Sequence, residues 1–195
     1  MIRIFHNATT KRKKRTNIPA FALWGMIGFG IGGAIGGAIW VTFDAPHLGF
    51  AILGAIGGAS LGVALQGWKK AWVLALACAI GFDIGFLIGF FIPLAVWEPI
   101  HGQGFLVGAI GGALGGASIG VALKDWKSAG ILSLASAIGF GIAVWITWDK
   151  LRGLTPQILW GSITLAIWGA IGGTCLGSIL GYLETRKSNM EIRTN

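Results

Sequence analysis

Charge is what this chain of 195 residues has least of: 11% of it is Asp, Glu, Lys or Arg, against roughly 25% in ordinary soluble domains. So little charge cannot solvate a globular surface, which excludes a soluble domain of the usual kind. The apolar share of 54% equally excludes a disordered linker. Acid is the rarer sign, with seven Asp and Glu in all. Two cysteines cannot build a disulfide framework. Both Cys78 and Cys175 fall in apolar runs, where they read as small packing residues. Catalytic signatures are missing too: there is no phosphate-binding Walker loop, no His-Glu-x-x-His and no nucleophile elbow. Gly28-Phe29-Gly30-Ile31-Gly32-Gly33 spells the dinucleotide fingerprint, but it sits inside an apolar run with no strand before it, and that motif needs its strand–turn–helix context. No nucleophile, base and orienting group come together in the pattern, so no enzyme, cofactor or metal site is expected.

What the chain has in place of charge is long apolar runs. Residues 16–43, 45–68, 99–123, 128–148 and 153–183 carry no Asp, Glu, Lys or Arg, and 71–97 is broken only by Asp83. About 20 apolar residues span a bilayer as a helix, and only a helix satisfies its own backbone there. The runs therefore predict an all-α integral membrane protein with six transmembrane helices near 18–43, 47–66, 71–97, 103–123, 129–148 and 157–183. Residues 1–17 form a basic tail ahead of this domain, 18–183, and residues 184–195 a second tail behind it.

The basic residues predict orientation. Thirteen of the 15 Lys and Arg, including the run Lys11-Arg12-Lys13-Lys14-Arg15, fall on the side of the chain ends, and only Lys150 and Arg152 fall on the other. The positive-inside rule then puts both termini in the cytoplasm, with a cell membrane of bacterial type as the expected location. The Lys11–Arg15 run reads as a topology anchor touching anionic headgroups, not as a nucleic-acid grip. Tryptophan belts agree, with Trp68, Trp72 and Trp126 at the inner boundary and Trp40, Trp97, Trp145, Trp148 and Trp160 near the outer one.

Internal repetition is the most specific signal. A shift of 58 lays residues 54–85 over 112–143 with 21 of 32 positions identical, and a shift of 115 lays 52–62 over 167–177 with 8 of 11 identical. Ile27-Gly28-Phe29, Ile80-Gly81-Phe82 and Ile138-Gly139-Phe140 mark the odd helices. The expectation is three tandem parallel two-helix hairpins (about 18–66, 71–123 and 129–183) around a pseudo-threefold axis. Small residues recur every four positions at Gly54, Gly58 and Gly62, at Gly104, Gly108, Gly112, Gly116 and Gly120, and at Gly169, Gly173, Gly177 and Gly181. Such GxxxG stripes let helix backbones approach closely in lipid, where no hydrophobic effect drives helices together. The hairpins are therefore expected to pack through glycine-zipper faces.

Two sets of polar residues stand out. Asp83 is the one formal charge inside an expected span, where a charge costs about 2.5–3.5 kcal/mol even on the translocon scale. It reads as a proton or cation relay, or else as an acid hydrogen-bonded to a neighbouring helix. Its repeat mates are Gly30 and Gly141, and it projects away from the Gly81–Gly85 row. At the outer mouth each odd helix ends in Trp and then an acid, giving Asp44, Glu98 and Asp149, with His47 and His101 three residues after the first two. Threefold placement would gather the acids into a cation-favouring ring. Two ligands in a loop are too few for a metal site.

The stretch from Gly54 to Gly89, a glycine-laddered helix followed by a helix with one mid-span acid, resembles the ring-forming subunit of rotary ATP synthases. Only one of the three hairpins carries the acid, and that subunit is a single hairpin, so its function does not transfer. In length and helix count the chain is also similar to the substrate-binding subunits of energy-coupling-factor transporters, without a shared motif. The expected function is a non-enzymatic permeation or transport module for a proton, small cation or small solute. The alternative is a structural subunit whose glycine faces pack against a second copy or another membrane protein. The lipid bilayer is the expected partner, and nucleic acid is not.

Overall fold

A computed structural model describes residues 17–65, 67–96, 103–148 and 157–194, and all regular structure among them is α-helical. Six helices follow one another: α1 (Ile18–Phe43), α2 (Pro46–Ala64), α3 (Trp68–Val96), α4 (Gln103–Ala122), α5 (Trp126–Trp148) and α6 (Gln157–Thr194). All six are long and apolar enough to cross a membrane. Their bounds differ from the expected spans at two kinds of place. Helices α3 and α5 start three residues early, because Lys69, Lys70 and Lys127 are good helix formers and Asp125 caps the start of α5. Helix α6 runs eleven residues past 183, through a polar stretch that includes Lys187, which is ion-paired to the start of α5.

Two turns are tight. Helix α1 ends where Asp44 takes a left-handed conformation (φ 52°) and donates its N–H to the Trp40 carbonyl, after which Pro46 opens α2. Proline suits a first helical turn, where its missing N–H has no intrahelical partner to lose. Helix α4 ends with Lys124 left-handed (φ 56°), its N–H donated to the Val121 carbonyl. Asp tolerates that conformation better than Lys does.

Each helix packs against the next in sequence, and α6 closes against α1. The packing of α2 on α3, α4 on α5 and α6 on α1 is more extensive than that within α1–α2, α3–α4 and α5–α6. Glycines lie along those closer seams. A Cβ at Gly54, Gly58 or Gly62 would run into the backbone of α3 at Cys78, Leu74 and Ala71. Gly108, Gly112, Gly116 and Gly120 meet α5 at Phe140, Ser136, Leu132 and Ala129, while Gly169, Gly173 and Gly177 meet α1 at Phe29, Gly25 and Phe21. Gly104 is buried at the start of α4, and Gly181 lies over Ile18 and Phe21. Ser60 joins two helices as well, donating to the Trp24 carbonyl of α1 (3.0 Å) and back to Gly57 (2.7 Å).

Unlike a water-soluble bundle, this one is apolar outside as well as inside. Large aliphatic side chains point outward, among them Ile27, Ile31 and Ile35 on α1 and Leu76, Ile80 and Ile84 on α3. The axis is filled by rings. Phe29, Phe82 and Phe140 are fully buried, and their centroids lie 5.3, 6.1 and 4.9 Å apart. Each rests on a glycine of the following helix: Phe29 on Gly57, Phe82 on Gly115 and Phe140 on Gly172. A side chain at any of these glycines would displace a ring from a close-packed interior.

Gly115→Val is expected to lower the unfolding free energy of the full chain by about 1–3 kcal/mol, the usual penalty for overpacking a core. Gly130, with nothing within 4 Å of a Cβ, is the control: Gly130→Ala should leave stability unchanged or raise it by up to ~1 kcal/mol. Thermal unfolding midpoints in one detergent check both.

Candidate functional site

Asp83 lies fifteen residues after the first residue of α3, about 22 Å along a helix rising 1.5 Å per residue. Successive residues step about 100° around a helix, and the neighbours of Asp83 show where it points. Gly81 meets Ser118 and Leu114 of α4, Phe82 faces the axis, and Ile84 is exposed on the outer surface. Asp83 therefore projects between axis and exterior, away from α4. It is half-buried, and its Oδ1 is buried with no hydrogen-bond partner among the described residues. The expected hydrogen bond to a neighbouring helix is thus not present there. His47 is exposed in the first turn of α2.

Above the Phe29–Phe82–Phe140 cluster, toward the end away from the chain termini, the axis holds a second aromatic layer. Phe50 stacks on Phe86 (4.3 Å, 14°), and Phe86 stacks on Trp168 (6.0 Å, 17°). The Trp168 indole N–H donates to Thr147 Oγ1, which in turn donates to the Ala143 carbonyl (2.8 Å). A third layer sets Trp40 against Phe50 (5.6 Å), Phe90 (6.3 Å) and Trp160 (6.0 Å). Trp40 and Trp160, near the ends of their helices as expected, are half-buried with their rings turned toward each other. Gly49 makes room, since a Cβ there would lie 3.0 Å from that of Trp40. Trp68, Trp72, Trp126 and Trp145 are exposed, as a belt requires. Buried Trp160 Nε1 and Thr164 Oγ1 have no hydrogen-bond partner among the described residues. Asp83 Oδ1 and Ser136 Oγ, near the middle of α3 and α5, are likewise buried without a partner among the described residues. Such atoms are uncommon in native interiors and call for a reason.

Asp44 is exposed at the end of α1. Glu98, His101 and Asp149 lie outside the described residues, as does the Lys11–Arg15 run. Among the described residues no three of His, Cys, Asp and Glu form a metal-ligand group. Cys78 is a free, buried thiol at the α2 seam, and Cys175 is also free.

One polar cluster was not singled out from the sequence. At the termini end, Asp125 caps α5 by accepting from the Ser128 N–H (3.1 Å) and hydroxyl (2.7 Å), and it pairs with Lys187 of α6 (2.9 Å), which also faces Glu184 (3.7 Å). The signal was legible as an Asp immediately before a helix start. What the spacing could not show is that α6 extends far enough to supply Lys187. The Lys187 ammonium, and then the two Ser128 bonds, hold the Asp125 carboxyl well below the usual carboxylate range.

No family model, curated protein or solved structure matches the chain.

The Asp125 clasp gives a signed pH dependence. Its folded-state pKa is depressed, so its stabilisation is complete above the ordinary Asp value of about 4 and is lost as pH falls through the folded value. Asp125→Asn should lower the unfolding midpoint at pH 7, and the gap from the parent should narrow progressively below pH ~4. Midpoints measured from pH 7 down to pH 3 in one detergent check this.

Proposed function

We propose that the chain is a non-enzymatic, multi-pass membrane protein that handles a proton or small cation at Asp83. The observation that supports it most is the carboxylate itself, held inside a membrane span with a buried oxygen that has no hydrogen-bond partner among the described residues. A buried polar atom left without a partner is expensive in an apolar medium, and an acid kept in a span despite that cost is a functional group by default. His47 and Asp44 stand at the end from which a cation would arrive. In this reading Asp44, Glu98 and Asp149 form the approach from outside, both termini are cytoplasmic, and the ring is three tandem hairpins closed by glycine zippers. Pseudo-symmetry is broken at one point: Asp83 stands where the other hairpins have Gly30 and Gly141.

The aromatic layers also bear on mechanism. Phe29, Phe82 and Phe140 occupy the axis on the termini side of the second layer, so passage needs these rings to move. The module then exchanges its ion with one side at a time and is not an open pore. A second reading, a structural subunit that conducts nothing, is favoured by the same filled axis. Its docking face would be the aliphatic exterior, because the glycine seams are occupied by the chain's own helices.

Purified chain in proteoliposomes, with internal pH and cation content followed by trapped dyes, separates the two. The expected outcome is proton or cation flux in the parent, and for Asp83→Asn a rate no greater than that of protein-free vesicles. A parent with no flux supports the structural reading, and unchanged flux in Asp83→Asn removes Asp83 from the account.

A further inference from the structure

A cavity of about 340 Å³ opens at the termini end of the bundle, between the start of α3, the end of α4 and the extension of α6. Its rim carries Lys69, Lys70, Lys124 and Lys187 with one acid, Glu184, and its floor is apolar, made by Val73, Leu74, Ala122 and Leu123. Lys187 is already engaged by Asp125 and Glu184. Lys69, Lys70 and Lys124 make no ion pair among the described residues. Four ammoniums against two carboxylates leave a surplus of two positive charges around one concavity. Lys124 reaches the rim from the left-handed position that ends α4. Trp68 and Trp72, exposed and packed edge to face (5.9 Å), flank the same end of α3, at the level where indoles meet headgroups.

We propose that this cavity binds the phosphate-bearing headgroup of an anionic phospholipid. The chemistry it recognises is a phosphate anion: ammonium groups on three helices converge on it, and the apolar floor takes the adjoining glycerol and first methylenes. A free phosphate shares the anionic part but not the apolar one, and zwitterionic phosphatidylcholine lacks the net charge. Juxtamembrane lysines each contribute to anionic-lipid attraction, but here they are gathered by tertiary structure into one site. Bound lipid would bridge α3, α4 and α6, beside the Asp125–Lys187 pair that ties the start of α5 to α6. This inference is independent of any role for Asp83.

The full chain is reconstituted in phosphatidylcholine vesicles containing brominated phosphatidylglycerol, and quenching of tryptophan emission gives the preference for the anionic lipid over brominated phosphatidylcholine. The Lys11–Arg15 run stays intact in every variant, so its contribution cancels. The parent is expected to prefer phosphatidylglycerol by about tenfold, and the triple variant Lys69→Gln, Lys70→Gln, Lys124→Gln to fall to about twofold or less. The arginine triple, Lys69→Arg, Lys70→Arg, Lys124→Arg, should keep the parent preference, which guards against a folding artefact. Inorganic phosphate at millimolar concentration should not erase it. A parent without preference, a glutamine triple that retains it, or full displacement by inorganic phosphate would each overturn the proposal, the last in favour of a soluble phosphate ligand.

Discussion

Backbone-to-backbone contact between helices, made where no Cβ intervenes, is the constraint on which the rest of this structure depends. In lipid the tails are as apolar as leucine, so helices cohere through close van der Waals contact and not through burial from water. Gly25 against Gly173, Gly54 against Cys78 and Gly116 against Leu132 bring main chains together around the ring. Each interior glycine costs about 1 kcal/mol of helix propensity in water, a deficit that a medium without competing water makes smaller and the contact offsets.

Close seams leave a narrow axis, and the narrow axis determines what fills it. Flat rings fit, each resting on a glycine of the next helix, and the same pairing occurs at Phe29–Gly57, Phe82–Gly115 and Phe140–Gly172. Such a core moves as a unit or not at all, since dense interiors have two arrangements more readily than a continuum. Asp83 breaks this scheme. At the corresponding positions Gly141 lies under the Phe105 ring and Gly30 lies beside Ala170, so both sites are occupied by a neighbour. At 83 the chain places a carboxylate instead, with a buried oxygen that has no partner among the described residues.

The helices were legible from the sequence because uncharged runs of bilayer length admit only one backbone solution. The approximate bounds followed from the same runs, and the failure at α6 has a clear cause: hydropathy marks where apolar residues stop, not where a helix stops. Asp83 was legible as an isolated acid, but the lack of a partner for its buried Oδ1 among the described residues was not, since that depends on how α3 is turned against its neighbours. The inward contacts of Trp40 and Trp160 were not legible, because a tryptophan near a boundary looks the same whether it faces headgroups or a neighbouring ring. Trp168 and its bond to Thr147 left no sequence signal at all: an indole inside an apolar run is indistinguishable from any other bulky residue until a neighbour is known.

The central claim, a ring closed within one chain by α6 on α1, has a direct test in a cross-link. A Cβ at position 30 lies 3.6 Å from that of Ala170, inside the roughly 3.5–4.5 Å range a disulfide requires. With Cys78 and Cys175 replaced by alanine, the pair Gly30→Cys and Ala170→Cys should oxidise to a cross-linked monomer in membranes, seen as a faster band on a non-reducing gel. A pair that stays reduced, or that joins only two separate chains, would contradict the closed ring.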